Sequence, residues 1–346
     1  MPDQPAPKAA PGKRPRASGR VTLQDVARSA GVSPITVSRA LRGERAVAAD
    51  LVERVRQAVQ QLGYVPDPAA RALASSRSSH VAVLIPLLSN ALFVDLLDAV
   101  QRALLPAGFQ TLIGVTHYDP AEEEALLRSY LLHRPAGLIV TGFDRTPAAR
   151  QLIEASAVPC VHVMETVAAD GVYSVGFSQA EAGYAMTRAL LADSHRHVAF
   201  AAAQLDPRTL QRAEGYRRAL REAGRPPREW LDPQRSSLAL GGRLFEQILL
   251  EAPEIDAIFF NNDDLAQGAL LAALRLGVRV PAEIAVAGFN DLTGSDQMLP
   301  ALTTVRTPRS AIGHEAATML MTLMRGETVA QPRLDLGFEI VRRGSG

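Results

Sequence analysis

VTLQDVARSAGVSPITVSRAL, residues 21–41, carries two short helical patterns on either side of the turn Ala30-Gly31-Val32-Ser33. Thr22 reads as an N-cap with Asp25 three residues on, where a carboxylate favours a helix N-terminus. Val26, Ala27 and Ala30 share one apolar face. Ser33 caps the second helix, and Pro34 stands at its first position, where a missing N–H is tolerated. Val37 and Leu41 are expected to face the first helix. A third helix follows, with Leu51, Val55, Ala58 and Leu62 at helical spacing and Gly63 at its end. This is a helix-turn-helix, an element whose second helix lies in the major groove of DNA.

The remaining composition sets limits. The chain of 346 residues, 47% hydrophobic, is too long for one simple core. No apolar run reaches the ~18 residues of a membrane span, and the Pro- and Ala-rich start has no secretory h-region. The cytosol is the expected compartment. Cys160 is the single cysteine, which excludes an intrachain disulfide framework and any multi-cysteine zinc site. The only lysines are Lys8 and Lys13, so neither a P-loop nor a Schiff-base chemistry has its lysine. No G-x-G-x-x-G follows a strand, and no cofactor is expected.

Charge is unevenly spread. Residues 1–80 carry 13 Lys and Arg against 6 Asp and Glu, a net of +7; residues 81–346 carry 24 against 30, a net of −6. A basic module joined to a mildly acidic body suits a DNA reader attached to something else. Residues 1–20 are low-complexity and are expected to be disordered. Tyr64 to Ser79 (YVPDPAARALASSRSS) reads as a linker in which Pro68 to Ala74 could form one or two helical turns, ordered only against a partner.

From Val81 onward the pattern changes. VAVLIP (81–86), TLIGVT (111–116), GLIVTG (137–142), CVHVM (160–164), HVAFAA (197–202), AIFF (257–260) and IAVAGF (284–289) are short continuous apolar runs. Most are separated by amphipathic stretches such as residues 93–107 and 264–276. Strands apolar on both faces imply parallel sheets covered by helices, and the series is long enough for two. The fold expected is a small all-α helix-turn-helix domain followed by a two-lobed α/β body. Ligands in such sheets sit at the carboxyl ends of the strands. Leu88, Ser89, Asn90 and Phe93, then His117 and Tyr118, then Thr141, Gly142 and Phe143, then Met164 and Glu165 stand at the ends of the first four runs and are candidates on that ground.

The chain resembles the lac repressor (LacI/GalR) family over residues 21–343. The carrying motifs are TLQDVARSAGVSPITVSRAL, YVPDPAARALA, RAEGY (212–216), NNDDLAQG (261–268), VAGFND (286–291) and LTTVRTP (302–308). Within the family it is most similar to gluconate-type repressors through IPLLSNALF, GFQT (108–111), DPRTLQRAEGY and NNDDLA, with 2-ketogluconate-type regulators next. The resemblance implies a periplasmic-binding-protein-like body. It implies a division into a tail (1–20), a DNA-binding domain (21–66), a hinge (67–79) and a body (80–343). Lobe 1 is expected at 80–176 plus 309–326, and lobe 2 at 177–308 plus 327–343.

It also implies roles. Thr22, Ser33, Pro34, Ile35, Thr36, Ser38 and Arg39 would meet a pseudo-palindromic operator as a homodimer. Pro34 and Ile35 could touch a thymine methyl, and Arg39 could pair with a guanine. Leu73 would wedge into the minor groove and bend the duplex. Asp67 stands where asparagine is commoner and is expected to cap the hinge helix. Arg212 would hold a polar group of the effector, a guanidinium fork suiting a carboxylate or vicinal hydroxyls. Asn262 would face the effector. Asn290 stands where aspartate is frequent, which removes a negative charge and fits an anionic ligand. The reading is a repressor, not an enzyme, controlled by a small sugar acid. A sugar receptor of the periplasmic type is the alternative, against which the basic N-terminal module argues. His195 with His197 lacks a third metal ligand, and Cys160 with His162 is a conceivable but weakly motivated nucleophilic pair.

Overall fold

The computed structural model describes residues 21–41, 47–65 and 78–346. The chain divides into two compact units, one up to Ser76 and one from Arg77. The expected tail, most of the expected hinge, Asp67 and Leu73, the residue expected to wedge into the minor groove, lie outside the described residues.

In the first unit, helices α1 (Leu23–Ala30), α2 (Pro34–Leu41) and α3 (Ala49–Leu62) enclose a small core of Val26, Ala27, Ala30, Val37, Ala40, Val55, Ala58 and Tyr64. Thr22 and Asp25 form a full capping box: the Asp25 carboxylate accepts the Thr22 N–H at 2.9 Å. Gly31 ends α1 at φ 63°, a left-handed conformation that glycine adopts without strain. Arg54 on α3 donates to the Ala30 carbonyl at 2.6 Å, fastening the turn. Leu41 is 40% exposed and does not pack on α1; Ala40, three positions after Val37, fills that place. Likewise Val52 rather than Leu51 joins the core.

The second unit contains two six-stranded sheets. Lobe 1 has β1 (His80–Ile85), β2 (Gln110–Val115), β3 (Gly137–Thr141), β4 (Cys160–Val163), β5 (Tyr173–Gly176) and β11 (Arg333–Asp335), in the order β11-β5-β4-β3-β1-β2, all parallel. Alternate residues of β1 point to opposite faces. Val81, Val83 and Ile85 pack with α4 (Ala91–Leu104) and α11 (Arg309–Met324). Ala82 and Leu84 meet α5 (Pro120–Leu132) and α6 (Pro147–Ser156). Lobe 2 has β6 (Val198–Ala203), β7 (Arg228–Asp232), β8 (Ala257–Phe260), β9 (Ala285–Asn290), β10 (Thr303–Arg306) and β12 (Glu339–Val341), in the order β12-β10-β9-β8-β6-β7. Only its edge strand β12 runs antiparallel.

Helices α7 (Gln179–Ala192) and α8 (Pro207–Glu222) cover one face of the second sheet over Phe200, Phe259 and Phe289. These three phenylalanines sit on neighbouring strands 5.3 and 6.4 Å apart. Helices α9 (Leu238–Glu251) and α10 (Asp263–Leu276) cover the other face. The division of the C-terminal residues differs from expectation. Arg333–Asp335 pairs with β5, Leu334 opposite Val175, so these residues belong to lobe 1 and not to the lobe 2 segment 327–343. Three residues alternating polar and apolar give too short a signal to assign a sheet.

The chain therefore passes between the lobes three times, at 177–178, 307–308 and 336–338. Phe177 and Phe338, from the first and third passages, meet at 6.4 Å. Among the described residues no helix is long and apolar enough to cross a membrane.

Helices α7 and α8 meet backbone to backbone. A Cβ on Gly215 would collide with the carbonyl oxygen of Ala180, and one on Gly183 with that of Arg212. This close approach fixes the depth at which Arg212 sits. Gly215→Ala is expected to lower stability by about 1–3 kcal/mol through overpacking, read as a fall in Tm. An unchanged Tm would mean that the helices can separate without loss.

Candidate functional site

The carboxyl ends of both sheets face a cleft of about 360 Å³. Lobe 1 contributes Asn90, Phe93, Tyr118 and Met164; lobe 2 contributes Arg208, Arg212, Asn262 and Asn290 among others. Asn90 accepts the Leu92 N–H at 3.0 Å and so caps α4 at the rim. Phe93 is 2% exposed and serves both as core and as wall.

Arg212 is the centre of the site. Its Nε donates to Gln179 Oε1 at 2.8 Å and its Nη1 to the Asn261 carbonyl at 2.7 Å. Its guanidinium lies 3.9 Å from the centre of the Phe289 ring. Burial pulls its pKa down to about 10, which still leaves it charged at neutral pH. Nη2 has no protein acceptor among the described residues. Beside it, Asn290 donates to Asn262 Oδ1 at 2.9 Å, and that same oxygen accepts the Asp263 N–H at 3.0 Å. Arg212, Asn262 and Asn290 are thus brought together as expected from the chain, on α8 and after β8 and at the end of β9.

Four expected cleft residues stand elsewhere. His117 is exposed and pairs with Glu122 at 2.7 Å; of the two candidates after β2 it is Tyr118 that lines the cleft. Both have left-handed backbones (φ 49° and 60°), and this turn sends consecutive side chains in different directions. Thr141 is buried and donates to the Leu84 carbonyl at 3.0 Å, lining only a smaller pocket behind Tyr118. Phe143 stacks on His162 at 4.4 Å and does not line the cleft. Glu165 accepts Arg208 at 3.2 Å and Gln211 at 2.7 Å, so it ties the lobes together rather than lining the cleft.

Arg208 escaped the sequence reading. It reaches from α8 into lobe 1, 3.0 Å from Asp144 and 3.2 Å from Glu165, with Asp206 of its own lobe also at 3.2 Å. Burial opposes its charge, but Asp206, Asp144 and Glu165 outweigh that and hold it protonated. Gly142 (φ 65°) lies under this cluster, where a Cβ would strike the Arg208 guanidinium. The available signal was spacing: Arg208 and Arg212 are four apart on one helix and share a face.

Two other groups are chemically quiet. Burial pushes the Cys160 thiol up to about 12 and holds His162 down to about 4, where the Arg145 charge also acts. At neutral pH both are uncharged, so they do not form a thiolate–imidazolium pair. In the first unit, Pro34, Ile35 and Arg39 lie on the outer side of α2, with Ile35 65% exposed. Ser33 accepts the Thr36 N–H at 3.1 Å, and the two hydroxyls are 2.8 Å apart. Thr22 is engaged in the α1 cap, and Ser38 is partly exposed.

Comparison with known proteins follows this division. A family described as "Bacterial regulatory proteins, lacI family" matches residues 22–67. A second, "Periplasmic binding proteins and sugar binding domain of LacI family", matches residues 78–334. The HTH-type transcriptional regulator GntR of Pseudomonas aeruginosa is 55% identical over 335 residues, 96% of this chain and 98% of that one. The crystal structure of the transcription regulator GntR from Chromobacterium violaceum superposes with a TM-score of 0.75 at 46% identity, over 77% of this chain and 98% of that one. The lac repressor dimer bound to operator and the anti-inducer ONPF gives a TM-score of 0.83 at 25% identity, over 94% and 99%.

Proposed function

The chain belongs to the LacI family of DNA-binding transcriptional regulators, and from that premise we propose that its operator affinity is set by a small sugar acid held between the two lobes. The observation that carries this reading is Arg212. A buried, charged fork, held rigid by Gln179 and Asn261, faces the cleft with one nitrogen left over. A carboxylate is the natural partner of such a fork, and the amides of Asn262 and Asn290 beside it suit hydroxyls. Gluconate and 2-ketogluconate both have this make-up. The receptor alternative leaves α1 to α3 without a purpose.

On the DNA side α2 is proposed to be the reading helix. Pro34 and Ile35 would offer apolar contact to a thymine methyl, Arg39 a bidentate donor to guanine, and Thr22, Ser33, Thr36 and Ser38 would meet the operator beside them. Leu73 would wedge the minor groove between two hinges. One helix-turn-helix reads a short site, so a homodimer on a pseudo-palindromic operator is the arrangement proposed; the lac repressor, which this chain resembles, is a dimer when bound to operator. The protein acts in the cytoplasm and has no catalytic step.

Calorimetry of the full chain with gluconate, 2-ketogluconate and their 6-phosphates, repeated with operator present, tests the reading. Binding and operator affinity must be linked, each altering the other by the same factor. Equal affinity for a palindromic duplex and random DNA under every condition would overturn it. Arg39→Ala is expected to lose about 1–3 kcal/mol of discrimination at one base pair per half-site, measured on a set of single-base operator variants. Unaltered discrimination would remove Arg39 from the base contacts.

A further inference from the structure

Three buried side-chain atoms among the described residues have no hydrogen-bond partner: Gln204 Oε1, Asn290 Oδ1 and Thr307 Oγ1. The first two line the cleft. An unpaired buried acceptor is destabilising and rare in folded proteins, so one that persists needs a reason. Both residues also have left-handed backbones, Gln204 at φ 51° and Asn290 at φ 103°, a second local strain at each. The Gln204 turn is fixed on both sides: its N–H donates to the Gln234 carbonyl at 2.8 Å, and its carbonyl accepts the Asp206 N–H at 2.6 Å. The turn therefore holds that side chain against the cleft.

The two acceptors are spaced for a chain-like ligand. Gln204 follows β6 and Asn290 ends β9, with β8 between them. Two strand spacings put their backbones roughly 10 Å apart. Arg212 lies on the β8–β9 side, against the Asn261 carbonyl and the Phe289 ring. A carboxylate held there leaves the rest of a six-carbon chain free to extend toward β6. We propose that Gln204 is a specificity-determining residue of the cleft, its side-chain carbonyl accepting a hydrogen bond from a hydroxyl on the distal end of an acyclic polyhydroxy acid. This rests on the sugar-acid reading above and adds to it a requirement for chain length.

The test is calorimetry of the full chain without operator, using gluconate, arabinonate and erythronate, which have six, five and four carbons. The wild type is expected to lose at least about tenfold in affinity from gluconate to erythronate. Gln204→Met is expected to bind gluconate about tenfold more weakly and to become indifferent to chain length. Its ligand-free Tm should rise, because an unpaired buried acceptor has been removed. Gln204→Glu, which keeps the acceptor, should retain the chain-length dependence and guards against a folding defect in the methionine variant. A Gln204→Met protein with the wild-type dependence and a lower Tm would mean that a fixed water serves the carbonyl, and would overturn the proposal alone. Absence of binding by any of the three acids to the wild type would overturn the sugar-acid reading itself.

Discussion

Arg212→Met is expected to weaken binding of the proposed sugar acid by at least about 100-fold. The fork would offer such a ligand charge-assisted hydrogen bonds of about 1.5–3 kcal/mol each, and each 1.4 kcal/mol is a factor of ten. The side chain also satisfies the Asn261 carbonyl and the Gln179 amide oxygen inside the protein, so its loss leaves two buried acceptors without donors and lowers Tm as well. Operator binding without ligand should survive, while its response to ligand should disappear. Arg212→Lys restores charge but is a point donor that cannot serve Gln179, Asn261 and a carboxylate together; partial recovery of affinity is expected. Full ligand response in the methionine variant would show that the carboxylate is held elsewhere.

Asp263→Ala is expected to have the largest effect on stability, a loss of about 4 kcal/mol. The carboxylate accepts the Thr304 hydroxyl at 2.6 Å, the Ser295 hydroxyl at 2.8 Å and the Leu292 N–H at 2.6 Å. It thus pins β10 and the loop after β9 to the start of α10. Removing it strands three donors in a fully buried place. Burial pushes this carboxyl up to about 7 against the pull of those hydrogen bonds. The folded protein then holds the proton more tightly than the unfolded chain, whose aspartate titrates at about 3.9. The part of its stabilisation that comes from holding the proton is complete below about pH 4 and is lost as pH rises toward about 7, whereas the hydrogen bonds to Thr304, Ser295 and Leu292 are a separate contribution. Urea unfolding between pH 4.5 and 7.5 should show that decline in the wild type, and Asp263→Asn should flatten it. A slope unchanged in Asp263→Asn would assign the decline to another group.

Strands apolar on both faces were readable from the chain because burial on both sides leaves unbroken runs such as AIFF. REWLD at β7 was not, since an edge strand facing solvent needs no such run. Nor were the short β5 and β11, whose partners lie far along the chain. The turn of the N-terminal unit was readable to the residue, because Thr22, Gly31 and Ser33-Pro34 each answer a local requirement. Leu41 misled because hydrophobicity alone does not tell an outer helix position from an inner one. In the cleft, Arg212, Asn262 and Asn290 were found from a motif and from strand ends. His117 and Phe143 failed on the same rule, for a strand end fixes where a loop begins and not where its side chains turn. Arg208 was hidden by its partners: Asp144 and Glu165 come from the other lobe, and no local pattern announces them.

The three passages of chain between the lobes bear on how much freedom the cleft has. A body hung from one thread can swivel, slide and twist. Three threads, with Phe177 set against Phe338 and Arg309 tied to the Asn290 carbonyl, resist sliding and twisting more than a single thread would. Rotation about the threads is the movement they oppose least, so a ligand of the proposed kind would have a hinge to act on.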